Sequence, residues 1–285
     1  MCTFAFLMKN VRQIWQETAK QLEKVYDQRE AENISYLLLE DLFGIRKADI
    51  LAGDLKGLDE KQLAQAVARL LDQEPIQYVT GVADFYGRKF LVQSGALIPR
   101  PETEELVDMI LKEIKPENPR IMDIGVGSGC IAITLSLETG GDVFGTDVSE
   151  EALGIARKNA DSLGAKVTFF QHDILSKELP EKELDILVSN PPYIPQRERR
   201  QMNTNVTAHE PGLALFVPDD DPIIFYKRIA DEGLKSLNKG GKLYFEIHEH
   251  FASEVKNYLE QIGYSEVTVH QDMQGKDRMV GGGRG

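Results

Sequence analysis

The chain has 285 residues, of which 42% are hydrophobic and 28% are charged. This is the composition of a globular protein with a proper core, and the length allows two modest domains or one large domain with an appendage. The formal net charge is -13 at pH 7, and most of the acidic excess lies after residue 80. That balance argues against a duplex nucleic-acid binder with a basic face and favours a cationic ligand.

The cysteines and the first residues of the chain bear on location. Cys2 and Cys130 provide no disulfide framework, which is typical of a reducing cytoplasm. The apolar start, Met1–Leu7, is too short for a signal sequence, Met8 offers an alternative start, and no apolar run approaches a membrane span. We therefore expect a cytoplasmic protein without a membrane anchor, and nothing in the sequence demands more than a monomer.

Residues 1–75 are predicted to form a helical domain. Apolar residues recur at helical spacing from Val11 and Ile14 onward, and glycines separate several short segments. Asp59–Glu60 is predicted to open the last of these helices and Pro75 to close it. A compact bundle follows from this pattern.

A β-hairpin is predicted within residues 76–100. Aromatic and β-branched residues surround Gly87 over Asp84–Val92, which suggests two short strands joining two domains. A helix is expected to follow Pro101, because acidic residues crowd its first turn.

From residue 101 to 285 the pattern alternates between strand and helix. Strands are predicted at Arg120–Ile124, Asp142–Thr146, Lys166–Gln171, Leu184–Ser189, Lys242–Ile247 and 264–270, and helices at Cys130–Leu137, Glu150–Leu163, Ile223–Leu237 and 251–262. This succession predicts an α/β fold, with a parallel sheet wrapped by helices.

A glycine-rich loop joins the first of these strands to the helix that follows. Glycines let a backbone turn sharply and approach a ligand at the carboxyl edge of a parallel sheet. They fall at alternate positions here, whereas a dinucleotide fingerprint has two residues before its third glycine. The loop residues expected to contact a cofactor are Asp123, Gly125, Val126, Gly127, Ser128 and Gly129.

Two acidic residues follow the next two strands. Asp147 lies 20 positions beyond Gly127, where a carboxylate can accept both hydroxyls of a ribose. Capping of the next helix is better suited to Ser149. Asp173 is a weaker candidate for an adenine amino group, with Ile174 packing on the ring, and an ordinary loop aspartate is nearly as good an explanation.

The strand Leu184–Ser189 runs directly into Asn190-Pro191-Pro192-Tyr193. Prolines lack an N–H group and fix φ, so the chain leaves the sheet rigidly at its carboxyl edge. The Asn190 amide oxygen and the Pro191 carbonyl can accept both hydrogens of a substrate –NH2 group, and Tyr193 can supply an aromatic wall. These residues are the predicted catalytic and substrate-binding group, and Asn190 is expected to border the cofactor too.

This arrangement suits methylation of a planar nitrogen. An amide nitrogen is a poor nucleophile because its lone pair is delocalised into the carbonyl group. Two fixed acceptors hold the lone pair toward the methyl donor and stabilise the positive charge that develops on nitrogen, so neither a metal nor a strong base is required. The order of the four sites indicates S-adenosylmethionine as the donor.

The sequence resembles the class I methyltransferases with an Asn-Pro-Pro-Tyr site and, within them, the release-factor glutamine methyltransferases. Leu97–Glu104 matches that family's signature before the first strand, and Asp123–Ala132 matches its cofactor loop. Glu210-Pro211 and Lys276–Arg278 match two later motifs, so the similarity covers nearly the whole chain. Val126 replaces the usual Thr or Cys, Phe216–Asp221 stands where a glycine pair is usual, and His248 stands where Gly is usual.

The resemblance implies a Rossmann-like sheet with an N-terminal helical bundle and a linking hairpin that help to dock a protein. It also implies the substrate, which is the glutamine of the Gly-Gly-Gln motif in class I peptide-chain release factors. No direct contact with nucleic acid is expected.

Three alternatives stay open. An adenine or guanine amino-methyltransferase could use the same residues on a flipped base, although the charge of -13 argues against it. A nicotinamide-dependent oxidoreductase has the wrong glycine spacing, and a non-catalytic binding module has no use for all four sites. His248 and His250 form a poor metal site, because two histidines two residues apart lack further ligands nearby.

Overall fold

The structure, a computed structural model, describes residues 10–53, 57–202 and 204–285. Met1–Leu7, Cys2 and the alternative start at Met8 lie outside these residues. The chain divides into two compact units. One contains the chain up to Val82 together with Thr204–His209, and the other contains the rest of the chain from Ala83 onward.

The first unit is helical. Its helices are α1 (Val11–Leu22), α2 (Gln28–Phe43), α3 (Lys47–Ala52), α4 (Glu60–Leu71) and α5 (Ile76–Thr80), joined by α9 (Thr204–His209) from later in the chain. Asn10, Asp27 and Asp59 cap α1, α2 and α4 by accepting backbone N–H groups. Its core contains fully buried side chains of Val11, Leu22, Leu38, Leu39 and Leu70.

The predicted helical bundle is confirmed, with one correction. Pro75 does not close α4, which ends at Leu71, but precedes α5. The fixed φ of proline and its missing N–H suit the start of a helix, where that N–H would have no partner. The helix Ile76–Thr80 was therefore missed at a position where proline opens a helix.

The predicted hairpin is confirmed. Strands β1 (Val82–Phe85) and β2 (Arg88–Leu91) are joined by a two-residue turn. Tyr86 and Gly87 have φ values of 49° and 71°, the positive values that two-residue hairpin turns favour. Phe85 and Phe90 pack edge to face, with ring centroids 5.9 Å apart.

The second unit contains a seven-stranded sheet. Its strands are β3 (Arg120–Ile124), β4 (Asp142–Asp147), β5 (Val167–Gln171), β6 (Leu184–Ser189), β9 (Leu237–Glu246), β10 (Tyr264–Gln271) and β11 (Asp277–Arg284). Two further strands, β7 (Ile194–Pro195) and β8 (Phe216–Val217), pair with each other. The helices are α6 (Pro101–Glu113), α7 (Cys130–Thr139), α8 (Glu150–Leu163), α10 (Gly212–Leu215), α11 (Ile224–Ser236) and α12 (Ala252–Ile262). Short 3-10 helices span Gln196–Gln201 and Glu249–Phe251.

The spatial order of the strands is β10-β11-β9-β6-β3-β4-β5. From β3 the chain builds outward through β4 and β5, and it then returns to place β6 on the other side of β3. The crevice between β3 and β6 is therefore the topological switch point, where ligands bind in sheets of this kind.

Helices cover both faces of the sheet. Ile121 on β3 packs into a core layer with α6, α7 and α8, whereas its neighbour Met122 packs into the opposite layer with α11 and α12. This alternation follows from the two-residue period of a strand. In the part of the chain that the structure describes, no helix has the length and apolarity to cross a bilayer.

The predicted α/β fold with a parallel sheet is confirmed, and the structure adds one antiparallel strand near an edge of that sheet. β11 follows the strand that was predicted to be the last one, and it pairs antiparallel with both β9 and β10. Its run of three glycines lacks the branched residues typical of a strand. At Gly281 a Cβ atom would meet the ring of Tyr244 at 3.3 Å, so the glycine lets this ring lie against the backbone.

Candidate active site

A cavity of about 420 Å³ opens at the carboxyl ends of β3, β4 and β6. The glycine loop, the ends of β4 and β5, and the Asn-Pro-Pro turn line it, as do Gly95–Leu97, Pro211, Leu213 and Ala214. Among the sequence-predicted residues, Gly125, Gly127, Asp147, Asp173, Ile174, Asn190, Pro191 and Pro192 line the cavity.

The charge of this cavity distinguishes between ligand classes. Asp147, Glu151 and Asp173 contribute carboxylates, and among the described residues no lysine or arginine lines it. A dinucleotide would bring a diphosphate into this acidic environment, which is unfavourable. The lining instead fits a small cation with an apolar portion, such as a sulfonium nucleoside.

The glycine loop presents its backbone to the cavity. Gly125 and Gly127 have φ values of 78° and 54°, and a Cβ added at either would meet nothing within 4 Å. A side chain there would project into open space, and the left-handed backbone itself favours glycine. Four predicted loop residues do not line the cavity: Asp123, Val126, Ser128 and Gly129. They can contribute to a cofactor site only by supporting the loop from behind.

The residues behind the loop are tightly packed. Val126 is buried in the core, and a Cβ at Gly145 would meet it at 2.6 Å. Asp123 is fully buried; its Oδ2 accepts the backbone N–H of Ala132 over 3.2 Å, and its Oδ1 has no partner among the described residues. Burial raises the pKa of Asp123 to about 7. Burial also raises the pKa of the Cys130 thiol to about 12, so it stays protonated at neutral pH.

Asp147 lies at the end of β4 with both carboxylate oxygens engaged by the backbone. Oδ2 accepts the N–H of Gly127 over 3.0 Å, and Oδ1 accepts the N–H of Ser149 over 2.9 Å. Each oxygen keeps a lone pair for a further donor. The helix cap is Ser149, whose hydroxyl oxygen accepts the N–H of Ala152 over 3.2 Å, as the sequence predicted.

Asp173 organises a turn after β5. Its Oδ1 accepts the N–H of Leu175 over 3.0 Å, and its Oδ2 accepts the hydroxyl of Ser176 over 2.8 Å. These bonds are those of a loop aspartate, although the residue lines the cavity with the buried Ile174. His172, also in the lining, is buried with a ring Nε2 that has no partner among the described residues.

Asn190 is held at the end of β6 next to the glycine loop. The hydroxyl of Ser189 donates to the carbonyl of Ile124 over 2.6 Å, which ties β6 to β3 immediately before the turn. Asn190 Nδ2 donates to the hydroxyl oxygen of Thr103 over 3.2 Å. Within the described part of the chain, no donor bonds to Asn190 Oδ1 or to the Pro191 carbonyl. Both acceptors are therefore free of donors from the residues that the structure describes.

Tyr193 lies beside the cavity but is not among its lining residues. Its hydroxyl donates to Glu246 Oε1 over 3.3 Å, and its ring meets that of His248 edge to face at 5.9 Å between centroids. His248 Nε2 lies 3.2 Å from Glu198 Oε2. His248 is thus packed against the tetrapeptide and paired with a carboxylate.

Residues that sequence reasoning did not assign to the site cross-link the elements around the cavity. Arg100 Nη2 contacts Glu210 Oε1 at 2.5 Å, and Glu210 Oε2 accepts the N–H of Ile98 over 3.3 Å. The Glu210 side chain is only 1% exposed. This pair joins the segment before α6 to the segment around α10, and both segments line the cavity. The family motifs contained these residues, but their pairing across 110 positions carried no local signal.

Comparisons with known proteins agree with this architecture. Residues 102–209 match the family model described as Methyltransferase small domain, and residues 13–81 match the model described as PrmC N-terminal domain. The fold, the glycine loop and the acidic cavity, with these matches, define an S-adenosylmethionine-dependent methyltransferase.

Relatives similar in sequence identify the family within this class of methyltransferases. The Release factor glutamine methyltransferase of Bacteroides thetaiotaomicron is 46% identical over 264 residues, which cover 91% of this chain and 95% of that one. The protein of the same name from Flavobacterium psychrophilum is 41% identical over 283 residues, covering 96% and 98%. The chain therefore belongs to the release factor glutamine methyltransferase family.

Solved structures share the fold. A methyltransferase from Pyrococcus furiosus matches with a TM-score of 0.54 at 20% identity, covering 78% of this chain and 99% of that one. The 16S rRNA N2 G1207 methyltransferase of T. Thermophilus, in complex with AdoMet and guanosine, matches with a TM-score of 0.50 at 15% identity, covering 72% and 50%. At these identities the likeness concerns the fold alone.

Proposed function

We propose that this chain transfers a methyl group from S-adenosylmethionine to the side-chain amide nitrogen of a glutamine in class I peptide-chain release factors, at their Gly-Gly-Gln motif. The relatives are named release factor glutamine methyltransferases, and the acidic charge of the chain suits a protein substrate better than nucleic acid. The observation that carries the proposal is a pair of acceptors beside the glycine loop, Asn190 Oδ1 and the Pro191 carbonyl, to which no donor of the described residues bonds.

The cofactor would be held by the residues that line the cavity. These include Asp147, Ile174, Gly125 and Gly127. Asp147 would accept the ribose hydroxyls, Ile174 would pack on the adenine ring, and the glycine backbone would allow close approach. Asp173 contributes a carboxylate on the adenine side. When bound, S-adenosylmethionine supplies an electrophilic methyl group on a positively charged sulfur.

The tetrapeptide would orient the glutamine amide. Asn190 Oδ1 and the Pro191 carbonyl accept its two N–H bonds, which turns the nitrogen lone pair toward the methyl group. Pro192 keeps the turn rigid, and Tyr193 borders the amide plane. As the new carbon–nitrogen bond forms, the bond between the methyl carbon and the sulfonium sulfur would break and neutral S-adenosylhomocysteine would leave. The two acceptors would stabilise the positive charge that passes to the nitrogen, which then loses one proton to solvent.

The helical segment 1–75 and the hairpin segment 76–100 are the proposed docking elements for the release factor, and segment 101–285 is the proposed catalytic domain. Both roles follow from the resemblance of the chain to its family. The chain is proposed to act as a monomer.

The purified chain is incubated with methyl-labelled S-adenosylmethionine and one of three acceptors. The acceptors are an unmethylated release factor, the same factor with the Gly-Gly-Gln glutamine replaced by alanine, and ribosomal RNA. We expect label on the first acceptor alone. Label on RNA and not on the factor would instead favour a nucleobase methyltransferase, and equal label on both factors would move the site away from that glutamine.

A further inference from the structure

A buried carboxylate lies directly behind Asn190. Glu246 ends β9, which runs parallel to β6 with Ser189 opposite Phe245, so the next residues, Asn190 and Glu246, emerge side by side. Glu246 is only 1% exposed, although no motif had assigned it a role. Burial raises the pKa of this carboxyl group, and the position carries a desolvation cost that packing alone would not require.

Thr103, in the first turn of α6, connects this carboxylate to Asn190. Its hydroxyl donates to Glu246 Oε2 over 2.6 Å, a short bond of the kind that charged acceptors form. The hydroxyl oxygen of Thr103 in turn accepts the Nδ2–H of Asn190 over 3.2 Å. Thr103 is 2% exposed, so water does not compete for these bonds.

The direction of this chain of hydrogen bonds is fixed by proton counting. An ionised carboxylate can only accept, and a hydroxyl has a single hydrogen to donate. Once Thr103 donates to Glu246, it can only accept from Asn190. The Asn190 amide must then turn its Nδ2 toward Thr103, which leaves Oδ1 for the cavity.

We propose that Glu246 and Thr103 are positioning residues, and that the ionised Glu246 sets, through the Thr103 hydroxyl, which atom of the Asn190 amide faces the substrate. This inference rests on the proposed function, in which Asn190 Oδ1 accepts a substrate N–H. A neutral Glu246 can donate to Thr103, which frees the Thr103 hydrogen for Asn190 Oδ1 and turns Nδ2 toward the substrate. The Asn190 Nδ2–H group would then face an N–H group of the substrate amide, and no hydrogen bond could form between these two donors.

The second oxygen of Glu246 extends its influence to the other end of the tetrapeptide. Oε1 accepts the hydroxyl of Tyr193 over 3.3 Å, so a single carboxylate contacts both Tyr193 and, through Thr103, Asn190. The charged and titratable groups around it are Glu102 on α6, Cys130 on α7, Tyr193, Tyr226 on α11 and Arg278 on β11. Among these, only Arg278 carries a positive charge to favour the ionised form.

The test compares two substitutions at Thr103 in the full-length enzyme, with the release factor as substrate. Thr103→Val keeps the shape and removes the hydroxyl, whereas Thr103→Ser keeps the hydroxyl. We expect kcat to fall at least about 10-fold in Thr103→Val, as for loss of one preorganised contact in a transition state. Thr103→Ser should restore most of the rate. The cofactor Kd should change less than about 2-fold in both variants, since Thr103 does not line the cofactor cavity.

Glu246→Gln tests the same chain of bonds from its other end. The wild-type kcat should fall toward acid pH as Glu246 takes up a proton, at a higher pH than an ordinary glutamate would require. In Glu246→Gln, kcat should be low and this acid limb should be absent. If Thr103→Val is too unstable to assay, the pH profile of kcat in wild type and in Glu246→Gln tests the positioning role alone.

The outcomes separate the two proposals. A wild-type enzyme that does not methylate the factor contradicts the proposed function. A wild-type enzyme that does so, together with a folded Thr103→Val variant of unchanged kcat, overturns the positioning role alone. So does a Glu246→Gln variant with the wild-type rate and pH profile.

Discussion

The backbone N–H of Gly127 donates to Asp147 Oδ2 over 3.0 Å, which joins the glycine loop after β3 to the end of β4. The other oxygen of Asp147 accepts the N–H of Ser149, so two main-chain groups, one on each carboxylate oxygen, orient the side chain. Because main-chain donors hold it, the carboxylate is oriented before any ligand binds. In the proposed cofactor complex, this preorganisation lowers the entropic cost of binding the ribose.

Asp147→Asn should weaken S-adenosylmethionine binding about 10- to 100-fold, because hydrogen bonds to a charged acceptor contribute about 1.5–3 kcal/mol. Calorimetry on the purified variant measures this. Asp142→Asn is the matched control on the same strand, since its side chain is 74% exposed at the far end of β4. Equal affinity in both variants would remove Asp147 from the cofactor site.

Asn190→Ala should bind cofactor with nearly wild-type affinity but lower kcat about 100-fold or more, which is the scale for removal of a preorganised transition-state contact. Steady-state kinetics with the release factor, together with calorimetry, separate the two effects. Asn257→Ala, at an exposed position on α12, is the control and should leave kcat unchanged. A wild-type kcat in Asn190→Ala would exclude the Asn190 side chain from the mechanism.

The Arg100–Glu210 pair should show asymmetric energetics. Arg100→Gln leaves the buried Glu210 carboxylate without its charge partner, and we expect it to destabilise the protein by about 2–3 kcal/mol, less than a fully buried pair because Arg100 is partly exposed. Glu210→Gln removes the buried charge and should cost less. Denaturant unfolding of both single variants and of the double variant measures the coupling. Additive effects would show that the two side chains act independently.

Asp123 should make the stability of the cofactor-free protein depend on pH. Its pKa of about 7 in the folded state lies above the ordinary 3.8, so the folded state holds a proton that the unfolded state has lost between those values. The free energy of unfolding therefore falls as pH rises through this window, by up to about 1.4 kcal/mol per pH unit. Asp123→Asn should remove this contribution. A stability difference between variant and wild type that is constant from pH 4 to pH 8 would contradict it.

Local chemistry made much of the fold and part of the site predictable. The bounds of β3, β6 and α8 coincide with their predicted ranges, because apolar runs and caps mark them in the sequence. The glycines of the loop and the two prolines also set the local backbone conformation without help from distant residues. The position of Asn190 beside the loop then follows from parallel strands that share a carboxyl edge.

Other features depend on pairings that no local pattern encodes. Thr103 and Glu246 lie 143 positions apart, and only the register between β6 and β9 places Glu246 beside Asn190. β11 was missed because its glycines lack strand propensity, and the Tyr244 ring that lies against Gly281 is distant in sequence. Long-range contacts of this kind appear only once the sheet is assembled.

The most direct test of the central claim is fragmentation mass spectrometry of the release factor after incubation with the enzyme and S-adenosylmethionine. We expect one added methyl group on the side-chain amide of the Gly-Gly-Gln glutamine, and none with Asn190→Ala. A methyl group at any other residue of the factor would contradict the proposed function. An unmodified factor, after incubation with a folded enzyme that binds cofactor, would contradict it too.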